Sequence, residues 1–140
     1  MMDYSITSQT MKIDRLDHFV LTVRDIEATC DFYVRVLGME KVIFENGRIA
    51  LRFGKHREHK INLHQAGREF VPNALHPTPG SADFCLITDL PMQQVVDHLQ
   101  DCGISIEEGP GPRTGAVGPI QSVYIRDPDH NLVEIAHYLA

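Results

Sequence analysis

The pattern of apolar and polar positions repeats itself along the chain. Residues 18–39 read HFVLTVRDIEATCDFYVRVLGM, and residues 83–104 read DFCLITDLPMQQVVDHLQDCGI. Each stretch begins with a short apolar run rich in β-forming residues. Each continues into a segment whose apolar residues recur at spacings of three, four and seven, which is typical of an amphipathic helix. Each then reaches a glycine, Gly38 or Gly103, the residue type that most often follows the end of a helix.

Three further strands are predicted after each of these glycines. In the first half they are Glu40–Phe44, Arg48–Phe53 and Lys60–Gln65, and Asn46-Gly47 is a strong signal for a hairpin turn. In the second half they are Ile104–Glu107, Gln121–Arg126 and Leu132–His137. The pattern therefore predicts an α+β fold in which two tandem βαβββ modules form a cupped, barrel-like mixed sheet.

The same pattern predicts the boundaries of one domain. Residues 1–11 are expected to be a flexible N-terminal tail, and residues 12–140 to form a single domain. Within it, module one covers about 12–66, a proline-containing linker covers about 67–80, and module two covers about 81–140. The stretch EEGPGPRTGAVGPI, residues 107–120, is too rich in glycine and proline to be a strand throughout, and we expect it to be a loop over a site.

Composition narrows the class of partner. The formal net charge is −6, from 13 basic and 19 acidic residues, which argues against nucleic acid because phosphate binding needs a basic surface. No apolar run approaches the roughly 20 residues of a membrane span, and the polar start lacks the apolar core of a signal peptide. An odd count of three cysteines favours reduced thiols over disulfides. We therefore expect a cytoplasmic protein that binds neither nucleic acid nor a membrane.

The repeat also relates polar residues that lie far apart in the sequence. His18 and Asp83 open equivalent strands, and Asn62 and Glu134 fall on the equivalent last strands of the two modules. Two like modules usually pack about a pseudo-twofold axis, which would place these residues around a shared cavity. Both faces of the strand that carries Glu134 are mostly apolar, so this carboxylate should be paired, hydrogen-bonded or metal-bound unless it is solvated. His64 shares a face with Asn62 because strand side chains alternate.

Two long segments resemble a known family. LDHFVLTVRDIEATCDFYVRVLGM near the start and YIRDPDHNLVEIAHY near the end are similar to the vicinal oxygen chelate superfamily. That group includes glyoxalase I, the fosfomycin and bleomycin resistance proteins and the extradiol dioxygenases. The segments KINLH, HPTPGSADFCLIT and EEGPGPRTGAVGPIQSVYIRDPD resemble a branch of glyoxalase domain-containing proteins. The resemblance covers nearly all of the chain from about Lys12 onward.

The resemblance implies a metal site at four strand positions. His18 matches the family ligand on the first strand, and Glu134 matches the Glu on the eighth. Asp83 stands on the fifth strand, where the family usually has His, and Asn62 stands on the fourth, with His64 as a further candidate ligand. The implied cofactor is a divalent metal ion (Mn, Fe, Ni, Co, Mg or Zn), and the residues leave its identity open.

The resemblance also implies two alternative functions. The first is a metal-dependent enzyme of glyoxalase or dioxygenase type that acts on a small oxygenated substrate by isomerase/lyase-like or ring-cleaving chemistry. In this enzyme Glu134 would be the catalytic base, and Asn62, Arg113 and Thr114 would bind substrate. The alternative is a non-catalytic small-molecule or antibiotic-binding resistance protein. Family members are commonly homodimers, so a homodimer is expected in either case.

Overall fold

The computed structural model describes residues 10–139, so residues 1–9 of the predicted tail lie outside the described residues. The elements, in chain order, are β1 (His18–Val23), α1 (Ile26–Arg35), β2 (Glu40–Phe44), β3 (Arg48–Phe53), β4 (His59–Gln65), β5 (Asp83–Ile87), α2 (Met92–Asp101), β6 (Glu108–Thr114), β7 (Pro119–Arg126) and β8 (Leu132–Tyr138). In the described part of the chain, neither ten-residue helix has the length and apolar character needed to cross a membrane.

The strands form two sheets of four. Sheet A has the order β1-β4-β3-β2, and sheet B has the order β5-β8-β7-β6. Each sheet is mixed, because β1–β4 and β5–β8 are parallel pairs and the other neighbours are antiparallel. The predicted α+β fold of two βαβββ modules is confirmed. The sheets are cupped but not closed into a barrel, because β1 and β5 each pair on one side only.

The strand register confirms the equivalence that the repeat predicts. In sheet A, Val20 on β1 lies opposite Asn62 on β4. In sheet B, Cys85 on β5 lies opposite Glu134 on β8. Val20 and Cys85 are each the third residue of their strand, so Asn62 and Glu134 occupy the same place in their respective modules.

One strand differs from the prediction. Residues 104–107 form no strand, and β6 instead lies within the glycine- and proline-rich stretch, at Glu108–Thr114. The strand tolerates Pro110 and Pro112 because it is the edge of sheet B, where an N–H group that faces away from the sheet is dispensable. The pairing of β6 with β7 shifts register between Glu108 and Gly111, as at a β-bulge. Composition alone cannot reveal that this segment is an edge.

The apolar sides of both sheets and both helices share one core. Phe19 on β1 and Phe84 on β5, which the repeat aligns, meet edge to face with ring centroids 5.0 Å apart. Helix α1 is capped by Asp25, whose carboxylate accepts hydrogen bonds from the backbone N–H groups of Glu27 and Ala28. Because the core occupies one side of each sheet, the other side is free to carry polar residues such as Asn62 and Glu134.

The turn between β7 and β8 ties the two modules together. The Asp127 carboxylate accepts a hydrogen bond from the Tyr33 hydroxyl of α1 at 2.7 Å. It also accepts hydrogen bonds from the backbone N–H groups of Asp129 and Asn131, and from the Asn131 side-chain amide. Asn131 in turn accepts a hydrogen bond from the N–H of Ala82, just before β5. The turn thus joins module one, through α1, to the first and last strands of module two.

Candidate functional site

The side of each sheet that faces away from the core carries all of the predicted site residues except Thr114. We call these surfaces face A and face B. Alternation and register place the following residues on face A: His18, Val20, Thr22, Glu40, Val42, Phe44, Arg48, Ala50, Arg52, Lys60, Asn62 and His64. The corresponding residues of face B are Asp83, Cys85, Ile87, Glu108, Arg113, Ile120, Ser122, Tyr124, Arg126, Leu132, Glu134, Ala136 and Tyr138.

Glu134 lies in the middle of face B, on the second strand of sheet B. It is partly buried, and the Ser122 hydroxyl on β7 donates a hydrogen bond of 2.6 Å to its Oε2 atom. Tyr124 is its direct neighbour on β7, and Cys85 is its direct neighbour on β5. The carboxylate is therefore held in one orientation by Ser122, and that hydrogen bond leaves Oε1 unused.

Asp83 lies on the same face as Glu134, at the start of the edge strand β5. Its register partner on β8 is Leu132, two residues before Glu134. Its side chain is exposed. The hydrogen bond from Arg126 to Glu107 raises the pKa of the Arg126 guanidinium, and the charge of Asp83 adds to that effect. Asp83 and Glu134 thus form an acidic pair of neighbours on face B.

The two predicted substrate-binding residues of β6 point to opposite sides. Arg113 is on face B, where its Nε atom donates to the Tyr124 hydroxyl at 3.1 Å and its guanidinium contacts Glu108. The hydrogen bond to Tyr124 raises the pKa of Arg113, and the charges of Glu108 and Glu134 add to that effect. Thr114, the next residue, pairs with Pro119 and is exposed on the other side of the strand. The structure therefore brings Arg113, but not Thr114, to the face that carries Glu134.

Face A carries the other three predicted site residues. His18 lies at the exposed start of β1, where its Nδ1 atom is 2.7 Å from a carboxylate oxygen of Asp17. Asn62 and His64 are buried on β4. The Asn62 Oδ1 atom and both ring nitrogens of His64 have no hydrogen-bond partner among the described residues. Buried polar atoms nearly always have a hydrogen-bond partner in folded proteins. A molecule bound at face A could supply the partners that these three atoms lack.

The linker between the modules folds over the His64 end of face A. Phe70 packs edge to face on the His64 ring with centroids 5.5 Å apart. Burial, followed by the nearby positive charge of Arg48, lowers the pKa of His64 and favours the neutral imidazole. A cavity of about 150 Å³ lies beside it, under the linker, and His64, Thr22 and His76 are among its lining residues. His64 thus lies in a closed environment that differs from the open start of β1 around His18.

The predicted metal ligands are not gathered within one chain. Among residues 10–139, no three His, Cys, Asp or Glu side chains are close enough together to hold a metal ion. The chemistry of the donors suits a hard divalent ion, because one imidazole and two carboxylates are available. However, His18 lies on face A, whereas Asp83 and Glu134 lie on face B. The described part of one chain therefore does not bring the predicted ligands together.

A large cleft lies elsewhere, between the β3–β4 loop, β5 and α2. Its volume is about 1030 Å³, and the Lys55–Asp89 ion pair of 3.0 Å joins the β3–β4 loop to the residues that follow β5. Cys85 and Arg52 contribute to its lining, but none of the predicted site residues does. This cleft therefore does not coincide with the predicted site residues.

The pKa of the Cys85 thiol depends in part on the charge of Glu134. Burial, followed by the charge of Glu134, raises the pKa of Cys85 to about 11. At pH 8 such a thiol carries roughly 100-fold less thiolate than an ordinary cysteine. Cys85 is therefore expected to react with iodoacetamide at least about tenfold more slowly than free cysteine, as measured by peptide mass spectrometry.

The control for this experiment removes one charge at a time from face B. Glu134→Gln lowers the pKa of Cys85 and should accelerate its alkylation. Glu108→Gln removes a carboxylate that the Arg113 guanidinium contacts and should leave the rate unchanged. Equal rates for wild type and Glu134→Gln would contradict the assignment of this charge.

Some residues of the two faces are not predicted by the sequence. Ser122 and Tyr124 orient Glu134 and Arg113, and Arg48, Lys60 and Phe70 cover part of face A. The signal for Ser122 and Tyr124 is their even spacing on a strand paired with the strand of Glu134. No such signal exists for Phe70, because the linker has no periodic pattern.

Comparisons with known proteins agree with this architecture. A family model described as Glyoxalase/Bleomycin resistance protein/Dioxygenase superfamily matches residues 15–135. The chain is 57% identical to Virulence protein STM3117 of Salmonella typhimurium over 92% of this chain and 88% of the relative. The crystal structure of that protein aligns with a TM-score of 0.89, covering 92% of this chain and 100% of the other.

The names of two other relatives mention a glyoxalase domain and a dioxygenase. The chain is 52% identical to Glyoxalase domain-containing protein RDO1 of Mycosarcoma maydis, covering 91% of this chain and 70% of the relative. It is 30% identical to Biphenyl-2,3-diol 1,2-dioxygenase 3 of Rhodococcus globerulus, covering 86% of this chain and 62% of the relative. The names of the two more similar relatives specify no reaction.

Proposed function

Because the chain belongs to the glyoxalase/bleomycin resistance/dioxygenase superfamily, we propose that it is a metal-dependent enzyme acting on a small oxygenated substrate. The observation that carries the proposal is the partly buried Glu134 carboxylate, which Ser122 orients at 2.6 Å and which the resemblance matches to the family's last metal ligand. A partly buried strand carboxylate with one oxygen unused is suited to bind an ion or to accept a proton.

We further propose that the site is completed between two copies of the chain. β1 and β5 each have one unpaired edge, and unpaired edges are usually covered in native proteins. Val20 on β1 is 43% exposed and Ile87 on β5 is 52% exposed, so both faces present apolar side chains beside these edges. A homodimer that joins face A of one copy to face B of the other covers both edges and brings His18 towards Asp83 and Glu134.

In this proposal Glu134 moves the proton. With Oε2 bound by Ser122, Oε1 is the atom that would help to hold a bound ion and that, when free of the ion, accepts a proton from a carbon or hydroxyl of the substrate and returns it at a second position. A bound divalent ion would act as a Lewis acid towards two neighbouring substrate oxygens. Arg113, fixed by Tyr124, lies on the same face and stabilises negative charge on the substrate. Asn62, whose Oδ1 atom lacks a partner, accepts a hydrogen bond from a substrate hydroxyl.

Divalent-ion binding tests this function. After removal of metal with EDTA, the wild-type protein is expected to bind Mn²⁺, Co²⁺ or Ni²⁺ as measured by calorimetry. His18→Ala and Glu134→Gln should each weaken binding by a factor on the order of 100 or more, because each removes a ligand. Ser122→Ala removes only the hydrogen bond to Glu134, so a smaller loss of about tenfold is expected. Ser105→Ala, at an exposed serine between α2 and β6 and outside both faces, is the matched control.

The same preparations are then assayed for turnover. A glutathione hemithioacetal tests the glyoxalase-like reaction, and a catechol tests the dioxygenase-like reaction. If the wild type binds no ion more tightly than His18→Ala and Glu134→Gln do, the proposal is wrong.

A second candidate function is favoured by the aromatic residues of face A. Phe44 and Phe70 flank Arg48 there, and aromatic side chains in the cup are suited to hold an intact small molecule. A non-catalytic binding protein, such as one that sequesters an antibiotic, needs no gathered metal ligands. Tight binding of an unchanged small molecule by metal-free protein, without turnover under any ion, would support this candidate over the enzyme.

A further inference from the structure

Face A concentrates positive charge in a chain that is acidic overall. Arg48, Arg52 and Lys60 all lie on it, on the adjacent strands β3 and β4. In the described part of the chain, none of the three lies within 4.0 Å of a carboxylate oxygen. The chain as a whole carries a formal charge of −6. Glu40 lies opposite Arg52 on β2 but contacts Arg57. The hydrogen bond with His18 lowers the pKa of Asp17, and the charge of Lys60 adds to that effect. Arg48 and Lys60 contact no carboxylate among the described residues, so they leave a local positive field on face A that attracts anions.

Aromatic rings hold two of these cations in place without neutralising them. The Arg48 guanidinium carbon lies 4.4 Å from the centre of the Phe70 ring and 5.5 Å from that of Phe44. The Lys60 Nζ atom lies 4.0 Å from the centre of the Phe44 ring. Cation–π contacts restrict the side chains but satisfy no N–H donor with an oxygen acceptor. Arg48 and Lys60 are therefore preorganised to donate hydrogen bonds to an anionic group.

Asn62 and His64 lie on the same face, on β4 after Lys60. Their buried polar atoms have no partner among the described residues, and Phe70 packs against His64. A neutral imidazole supplies one N–H donor and one acceptor. An oxygen atom of an anionic group can accept a hydrogen bond from that N–H. The same ligand that neutralises the cations can therefore also give the buried His64 ring a partner.

We infer that face A is an anion subsite that takes the carboxylate or phosphate group of a small organic anion, with Arg48 and Lys60 as its charged donors. The claim that this anion is the substrate rests on the proposed function, whereas anion binding itself does not. In the proposed dimer, face A of one copy meets face B of the other, so the anionic group binds opposite the reacting oxygens near Glu134. The substrate class is therefore a small oxygenated acid or phosphate ester rather than a neutral molecule.

The subsite is tested on the full-length protein without metal. EDTA-treated protein is titrated with benzoate, with inorganic phosphate and with benzamide, the neutral analogue of benzoate, and binding is followed by amide chemical shifts. Benzoate or phosphate is expected to bind at least about tenfold more tightly than benzamide. The reason is that hydrogen bonds from Arg48 and Lys60 to a charged acceptor are stronger than those to a neutral one. The tighter of the two anions identifies the group that the subsite prefers.

Substitutions then locate the binding. Arg48→Gln and Lys60→Gln should each weaken anion binding by on the order of tenfold or more, and Arg48→Lys should retain most of it. Arg68→Gln makes the same change at an exposed arginine of the linker and is the matched control. Equal binding of benzoate and benzamide, or equal affinities of Arg48→Gln and Arg68→Gln, would overturn the subsite.

The outcome is separable from that of the metal proposal. Divalent-ion binding is measured on a second portion of each preparation. If the protein binds divalent ions but no anion, the proposed metal-dependent function stands and the anion subsite is wrong. If the protein binds anions through Arg48 but no divalent metal ion, the anion subsite stands and the metal-dependent function is wrong.

Discussion

Mixing the His18→Ala and Glu134→Gln variants is expected to restore divalent-ion binding that neither variant has alone. His18 lies on face A and Glu134 on face B, and within the described residues of one chain no three potential ligands are gathered. In the proposed homodimer each site takes face A from one copy and face B from the other. A mixed dimer therefore contains one site with both substitutions and one site with neither.

The expected recovery has a definite size. Random exchange of subunits makes about half of the dimers mixed, and one of the two sites in each mixed dimer is intact, so about one quarter of all sites bind the ion. The measurement is a titration with Mn²⁺ of the two variants alone and after exchange, at equal protein concentration. Sedimentation of the same samples tests whether they are dimers.

The structure offers a matched control for this experiment. Asp83 and Glu134 lie on the same face, so a mixed dimer of Asp83→Asn and Glu134→Gln has one lesion in each site. This mixture should recover no binding. Recovery in neither mixture, with wild-type dimers that do bind the ion, would contradict a site shared between copies and would require the ligands to come from a single chain.

The sequence predicts most of the fold because the chain carries its pattern twice. A weak signal in one half, such as the short apolar run Asp83–Ile87, is supported by the stronger one at His18–Val23. The repeat also predicts that Asn62 and Glu134 are equivalent, and the strand register agrees. The failure at β6 has a physical cause, since an edge strand can accommodate prolines that a central strand would exclude.

The site is less predictable than the fold because it depends on which surfaces meet. Alternation along β8 correctly separates Glu134 from its neighbours Val133 and Ile135, which enter the core. It does not indicate that His18 lies on a different sheet surface from Glu134, since that follows from the packing of the modules. The contact of Phe70 with Arg48 comes from an irregular linker, for which residue spacing carries no information.

The buried carboxylate of Asp127 should be one of the most sensitive positions for stability. It is 3% exposed and accepts four hydrogen bonds, from the Tyr33 hydroxyl, the Asn131 amide and two backbone N–H groups. Burial, together with the charge of Asp127, raises the pKa of Tyr33, so the phenol remains a hydrogen-bond donor at neutral pH. Removal of this one acceptor leaves all four donors without a partner, and two of them lie on side chains that are almost fully buried.

Asp127→Ala is therefore expected to lower the free energy of unfolding by about 3–4 kcal/mol and the melting temperature by roughly 10 °C. Tyr33→Phe removes one of the four donors and should cost about 1–2 kcal/mol. In the double variant the two losses should not add, because the Tyr33 hydroxyl has no acceptor once Asp127 is gone. The measurement is urea unfolding at one protein concentration, since the proposed dimer would make apparent stability depend on concentration.

The control is the same substitution at an exposed carboxylate. Asp89 pairs with Lys55 at 3.0 Å, and both side chains are at least three-quarters exposed. Exposed ion pairs contribute little, so Asp89→Ala should leave the unfolding midpoint unchanged. If Asp127→Ala unfolds at the same midpoint as Asp89→Ala, the turn does not hold the modules together. A large loss at Asp127 alone would support the conclusion that this carboxylate fixes α1 of module one to module two.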